Sequence, residues 1–238
     1  MDPSMQSLLK WGIENSQPST TNPSTDNDSS AAATTTTTTT TGATGAPRSL
    51  SPSALQRLFF NTPSDAELMK AAMHVIRSTD ATLENKLVAF DNFEQLVENL
   101  DNANNMDVLG LWAPLVQELE AEEAERRMMA AWCIGTAVQN NERAQEKLIE
   151  QPTSLPTLLR ISQTDPDKSV RRKAIYALSS AVRNHQAALD EFVKHLPAHL
   201  PDDGDDAGRD ELIGGDGVEA GDMERIDEII SRLKKAVV

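Results

Sequence analysis

The chain has 238 residues, and its 37 aspartates and glutamates outnumber its 22 lysines and arginines, which gives a net charge of −15. This charge opposes non-specific attraction to nucleic-acid phosphates and anionic lipid surfaces, so neither kind of partner is expected. The sequence holds no apolar run long enough to span a membrane. Its single cysteine, Cys133, cannot form an internal disulfide. We therefore expect a cytoplasmic protein, because that compartment keeps thiols reduced.

The N-terminal segment, residues 1–16, carries an apolar cluster ahead of a long polar stretch. The cluster consists of Leu8, Leu9, Trp11 and Ile13. Residues 17–50 are mainly small or polar, with threonine at every position from 34 to 41. Such a stretch cannot offset the entropy of ordering and is predicted to be a disordered tether. The apolar cluster is then either a binding motif at the end of the tether or a helix that docks back on the folded part.

Helical spacing of apolar residues begins near residue 51, with Leu55, Leu58 and Phe59 in a short first segment. Ser64 and Glu67 form a capping-box pattern, which predicts that a helix begins directly after Ser64. A broad apolar stripe follows over residues 83–100. We expect an asparagine-rich turn at residues 102–105 to end that helix.

Three stretches of the chain can be laid over one another, namely residues 86–100, 127–141 and 171–185. In this alignment alanine recurs at 89, 130 and 174, valine at 97, 138 and 182, and asparagine at 99, 140 and 184. Self-similarity with a period of roughly 40 to 45 residues is typical of armadillo or HEAT helical repeats. The long helices of armadillo repeats line the inner, concave face. An asparagine that ends such a helix can have a structural role, a contact role or both, because asparagine tolerates the left-handed conformation.

The second and third repeats each read as a short helix, a second helix with proline near its start and a long third helix. The predicted segments are 108–111, 114 onwards and 122–140, then 144–149, 156–162 and a long helix that ends at residue 184. The short first helix favours armadillo over two-helix HEAT units. We predict an all-α fold, a short right-handed armadillo-repeat solenoid over residues 51–196.

The C-terminal part changes character after Pro197. Residues 197–221 are acidic and rich in glycine, so we expect a flexible linker there. Residues 222–238 have the pattern of an amphipathic helix, with Asp222 placed to cap its start. We interpret this helix as a cover for the last repeat, since terminal repeats need one.

Catalytic constellations are lacking in the sequence. His195 and His199 have a spacing that could serve a metal, but Pro197 between them interrupts a helix. No glycine-rich phosphate loop or nucleophile motif is present. We therefore predict no catalytic residue, no metal and no cofactor. Trp132 and Tyr176 occupy equivalent repeat positions and are interpreted as core or inner-face residues.

Capture of an extended peptide is also not expected. Armadillo proteins with that activity carry a tryptophan and, four residues later, an asparagine along the groove. The equivalent pairs in this chain are Asp91 with Gln95, Trp132 with Thr136, and Tyr176 with Ser180.

A family resemblance is carried by residues 8–16, 81–106, 111–115, 134–141 and 174–185. These segments resemble the Fes-type armadillo nucleotide exchange factors of fungi, whose animal relatives are the heat-shock-protein-binding cochaperones. The run at 101–105 is the most specific part of the resemblance. It implies a monomeric cochaperone that clasps the nucleotide-binding domain of a seventy-kilodalton heat-shock (DnaK-class) chaperone and opens its cleft so that ADP leaves. The resemblance also implies that the apolar motif of residues 1–16 competes with clients at the chaperone's substrate-binding domain.

The competing interpretation is an armadillo scaffold that binds another folded protein. Under the family interpretation, the residues expected to face the chaperone are Glu98, Asn102, Ala103, Asn105, Asn140, Arg183 and Asn184. The small side chain of Ala103 would permit close approach, so Ala103→Arg is expected to block binding while the fold stays intact. Longer relatives carry a further repeat after Lys194, which this chain replaces with the acidic linker and one helix.

Overall fold

The computed structural model describes residues 63–197, 213–214 and 217–235. The regular secondary structure in these ranges is helical throughout, as the sequence predicts. None of the helices in this part of the chain combines the length and the apolar character needed to cross a membrane. The N-terminal motif, the tether and the helical segment predicted near residues 52–59 lie outside the described residues.

From residue 65 to residue 195 the helices follow one another with short connections, and one further helix begins at residue 223. Their bounds are α1 (Asp65–Arg77), α2 (Leu83–Val97), α3 (Leu100–Asn105), α4 (Trp112–Gln117) with the 3-10 turn η1 (Glu118–Glu120), α5 (Ala124–Val138), α6 (Glu142–Ile149), α7 (Ser154–Thr164), α8 (Lys168–Val182), α9 (Gln186–His195) and α10 (Met223–Lys235).

Helix starts follow the capping chemistry of the sequence. The Ser64 hydroxyl accepts a hydrogen bond from the Glu67 N–H, and the Glu67 carboxylate accepts one from the Ser64 N–H at 2.8 Å. This confirms the capping box. Asp167 caps α8 by accepting from the N–H groups of Ser169 and Val170, and Asp222 accepts from the N–H of Arg225 at the start of α10.

Two predicted features of the second repeat are wrong. The asparagine-rich run does not end a helix but forms one, α3, whose N-terminus is capped by the Asn99 side chain. Residues 108–111 form a turn rather than a helix, with Gly110 at a φ of +66°. The short first helix of this repeat is therefore α3. Asparagine stays helical at position 102 because its side-chain amide finds partners elsewhere, donating to Asp65 and to the Leu96 carbonyl.

The long helices α2, α5 and α8 pack side by side, and most of the core lies between them and their shorter neighbours. Phe90, Phe93 and Ile134 are fully buried, and each such side chain contributes about 1.5 to 3 kcal/mol of hydrophobic stabilisation. Gly135 allows the closest approach, since a Cβ atom there would lie 2.5 Å from the Tyr176 ring. This all-helical stack is consistent with an armadillo-like solenoid.

The turns after α5 and α8 use the conformation that suits asparagine. Asn140 and Asn184 have φ angles of 52° and 58°, in the left-handed region. Asn99, the equivalent residue of the first repeat, instead has a φ of −75° and caps α3. The repeated asparagines thus have structural roles at all three positions.

Helix α10 docks against α8 and buries its apolar face, which comprises Ile226, Ile229, Ile230 and Leu233. The chain just before it is also held in place. Val218 and Ala220 lie in the segment that we expected to be flexible, yet both are buried. The Ala220 carbonyl accepts a hydrogen bond from the Asn184 N–H at 3.0 Å. The last residues of the acidic segment are therefore part of the packed structure.

Candidate functional site

An open depression of about 480 Å³ crosses the long helices α2, α5 and α8. In an armadillo-like stack these third helices line the inner face. We call the depression the inner groove, and its lining residues are Glu94, Glu98, Trp132, Thr136, Gln139, Asn140 and Tyr176. Positions 132 and 136 lie on one face of α5, and Gln139 and Asn140 directly follow its last residue, so this one helix and its C-terminal end supply four of the lining residues.

A buried carboxylate forms one wall of the inner groove. Glu94 is only 6% exposed, and its Oε1 accepts a hydrogen bond of 2.7 Å from the Thr136 hydroxyl. Burial raises the pKa of Glu94, and the nearby charges of Glu98 and Asp91 push the pKa further upward. Together these effects outweigh the Thr136 hydrogen bond and the more distant Lys173 charge. This wall of the groove is therefore acidic and short of positive partners.

Aromatic rings form another part of the groove lining. The Lys173 ammonium lies 3.3 Å from the centre of the Trp132 ring and 5.6 Å from that of Tyr176. The Tyr176 hydroxyl donates a hydrogen bond of 3.1 Å to the Gln139 side chain. Burial lowers the pKa of Lys173, although the Glu94 charge opposes that shift. The rings are thus fixed in position and already hold one cation of the chain itself.

Of the predicted site residues, Glu98 and Asn140 line the inner groove and are exposed. Asn105 and Asn184 are exposed at helix ends outside it.

The structure corrects the expectation for Asn102 and Ala103. Asn102 is 7% exposed and joins α3 to α1 through a 2.8 Å hydrogen bond to Asp65. Ala103 is 2% exposed and belongs to the core. The prediction that Ala103→Arg would leave the fold intact is therefore wrong, because the substitution would force a charge into the core. Both residues therefore stabilise the packing of α3 and are not part of the exposed surface.

Arg183 is engaged by the chain itself. It forms an ion pair with Asp227 of α10, and its Nε donates to the Ser179 hydroxyl at 3.1 Å. Arg183 is the repeat equivalent of Glu98 and Gln139, so α10 covers the position that continues the inner groove beyond α8.

Sequence reasoning omitted five of the seven lining residues from the predicted site. Trp132 and Tyr176 were recognisable as repeat equivalents, and Gln139 directly precedes Asn140 in the sequence. Glu94 and Thr136 gave no signal, because their hydrogen bond joins residues that are 42 positions apart.

The inner groove offers carboxylates, amides and aromatic faces on a rigid helical support. Among the described residues, no group of three histidines, cysteines, aspartates or glutamates is arranged to hold a metal ion. Surfaces of this composition on the inner face of stacked repeats bind other proteins. The fold and the groove thus define the class, a protein-binding helical-repeat module.

Comparison with known proteins gives the family. Residues 5–106 match the family model of nucleotide exchange factor Fes1, and residues 102–196 match the SIL1/FES1/HPBP1 C-terminal domain. The chain is 54% identical over 235 residues to the Hsp70 nucleotide exchange factor FES1 of Coccidioides immitis, with 99% of both chains covered. It is 44% identical over 242 residues to the protein of that name from Gibberella zeae, with 99% of this chain and 98% of the relative covered. The chain belongs to the Fes1 nucleotide exchange factor family.

A relative of the same name from Eremothecium gossypii is longer. It is 43% identical over 190 residues, which represent 79% of this chain but 58% of the relative.

Proposed function

We propose that this protein is a nucleotide exchange factor for an Hsp70 chaperone, which binds the nucleotide-binding domain and accelerates ADP release. The observation that carries the proposal is the 54% identity to a named Hsp70 nucleotide exchange factor over 99% of both chains. Exchange of this kind requires binding energy and no catalytic step. The protein acts in the cytoplasm as a monomer and supports chaperone-mediated folding.

The mechanism is a shift of population between two states of the chaperone. A partner that binds the open nucleotide-binding domain more tightly than the closed one lowers the affinity for ADP by the same factor. A coupling free energy of about 1 to 3 kcal/mol weakens ADP binding about 5- to 150-fold. The described helices suit this role because an extensive core holds them together and the inner groove gives them a concave surface.

The surface that binds the chaperone is the inner groove together with the adjacent helix ends. Glu98 and Asn140 contact the chaperone directly from within the groove, and Asn105 and Asn184 contact it from the helix ends. Arg183 contributes through its ion pair with Asp227, which holds α10 beside this surface.

The remaining segments have separate roles. The motif of residues 1–16, with Leu8, Leu9, Trp11 and Ile13, competes with clients at the chaperone's substrate-binding domain. Residues 17–50 tether it to the repeat domain of residues 51–196. Residues 197–221 link that domain to the helix of residues 222–238.

The test is stopped-flow release of a fluorescent ADP analogue from the cognate Hsp70. Saturating protein is expected to accelerate release. It is also expected to weaken ADP binding to the chaperone by about 5- to 150-fold. No acceleration, with binding intact, would leave only the second candidate, a scaffold that binds a folded partner without exchange activity. Deletion of residues 1–16 should slow client release and leave ADP release unchanged.

A further inference from the structure

We propose that the inner groove receives one basic side chain, a lysine or an arginine, from the folded surface of the Hsp70 partner. The identity of the partner rests on the proposed function, whereas the chemistry of the contact is drawn from the groove itself.

The first argument is a carboxylate with unused hydrogen-bonding capacity. Glu94 is more than nine-tenths buried and nevertheless lines the groove. Its Oε1 is occupied by the Thr136 hydroxyl, whereas its Oε2 accepts no hydrogen bond from a described residue. The Oε2 atom is not shielded from solvent, so it is available to a charged donor that enters the open groove.

The second argument is the local charge. In the described part of the chain, the charges that act on Glu94 are those of Glu98 and Asp91, which are anionic, and of Lys173, which is cationic. The Lys173 ammonium rests on the Trp132 ring and lies beyond the 4.0 Å ion-pair distance from both glutamates. Among the described residues, the anionic groups at the groove thus outnumber the cationic ones.

The third argument comes from the aromatic wall. The position of Lys173 over Trp132 demonstrates that this wall accepts a cation. Trp132 and Tyr176 both also line the open groove. A guanidinium or ammonium group that enters the groove would meet a lining that includes both aromatic side chains and the carboxylates of Glu94 and Glu98.

Other occupants fit less well. An acidic side chain would be repelled by the local carboxylates, and an apolar one would leave the Glu94 Oε2 atom without a donor. The depression of about 480 Å³ is large enough for one long side chain. It is lined by separate polar groups rather than by a continuous apolar strip, which favours a single inserted residue over a docked helix.

The test compares Glu98→Gln and the double variant Glu94→Gln/Glu98→Gln with Glu146→Gln. Glu146 is an exposed glutamate of α6 outside the groove, so its replacement gives the same charge change as Glu98→Gln without touching the site. The dissociation constant for the full Hsp70 is measured by calorimetry at low and high salt, together with ADP release. The double variant should bind at least about tenfold more weakly and with a shallower salt dependence. The Glu146 variant should bind within about twofold of the parent.

The basic partner residue is then located by a second set of measurements. Surface lysines and arginines of the chaperone's nucleotide-binding domain are changed one at a time to glutamine and paired with Glu98→Gln. The proposal requires one basic chaperone residue whose substitution weakens binding to the parent protein but not to the Glu98→Gln variant. Such a result identifies a direct pair between that residue and Glu98. Unchanged affinity of the double variant, or a loss of affinity that couples to no basic position, would overturn the groove proposal. If the unmodified protein does not accelerate ADP release at all, the proposed function fails instead.

Discussion

The bidentate ion pair between Arg127 and Asp165 gives the most direct test of how the repeats are held together. Arg127 lies in α5 of the second repeat, and Asp165 lies between α7 and α8 of the third. The two contacts measure 2.7 Å from Nε and 3.0 Å from Nη2. Nη1 also donates to the carbonyls of Ala121 and Glu122 at 2.8 and 2.7 Å. The side chains are 14% and 3% exposed, so solvent screens this pair little.

Replacement of Arg127 by methionine removes the charge and keeps most of the apolar stem. It leaves Asp165 buried with the 3.0 Å hydrogen bond from the Asp167 N–H and the nearby charge of Arg171. Removal of one partner from a buried pair costs about 3 to 5 kcal/mol, and the surviving hydrogen bond places the expected loss near the lower value. The control is Arg160→Met, since Arg160 and Glu120 are 52% and 61% exposed. An exposed pair contributes about 0 to 1 kcal/mol.

The measurement is the free energy of unfolding, from urea denaturation followed by circular dichroism. Equal m-values in the parent and both variants would show that the same surface is exposed on unfolding. The double variant Arg127→Met/Asp165→Asn should lose less than the sum of the single losses, because it no longer buries an uncompensated carboxylate. If Arg127→Met costs no more than Arg160→Met, the account of this pair as an inter-repeat tie is refuted.

Three further predictions follow from the same structure. Burial alone would raise the pKa of Asp165, but the hydrogen bonds from Arg127 and from the Asp167 N–H hold this pKa below its usual value. The stabilisation is therefore complete above about pH 4 and is lost as the pH falls through the lower native pKa. Asp165→Asn should remove this loss in acid denaturation curves, and an unchanged curve would contradict the assignment. Glu94→Gln should raise the melting temperature at pH 7, since burial raises the pKa of Glu94 and makes its charged form costly in the folded state. That advantage should shrink as the pH falls through the raised native pKa and vanish below about pH 4.3, where the glutamate becomes protonated in both states. A variant less stable than the parent at pH 7 would disprove it. Gly135→Ala should destabilise the fold, because the new Cβ would lie 2.5 Å from the Tyr176 ring and 3.1 Å from the Ala177 Cα. Overpacking costs about 1 to 3 kcal/mol, whereas the better helix propensity of alanine stabilises the helix by about 1 kcal/mol. Calorimetry should therefore give a lower melting temperature for the variant. A higher melting temperature would contradict this packing.

Local chemistry made much of the fold predictable. The capping box at Ser64 and the recurrent valines and alanines are signals within a few residues or at a constant spacing, and they locate the long helices correctly. The asparagine-rich run was misread because propensity favours a turn there. Helix α3 instead forms because the Asn102 amide reaches Asp65 of α1, a partner 37 residues away.

The candidate site was less predictable for a related reason. Exposure of Glu98 and Asn140 follows from their positions at the ends of long helices. The burial of Ala103 depends on how α3 packs on its neighbours, and the pairing of Arg183 depends on where α10 docks. Glu94 occurs in an apolar run with no local sign of a partner, and only the stacking of α5 on α2 brings the Thr136 hydroxyl to it.

Hydrogen bonds connect each inner helix to the next, and this has a mechanical consequence. The successive connections are Thr136 to Glu94, Tyr176 to Gln139, and Arg183 to Asp227. Because they span the inner face, straightening the solenoid would stretch all of them together. These connections therefore oppose a change in the curvature of the described helices. Under the proposed function, the strain of binding would then fall mainly on the chaperone rather than on the repeats.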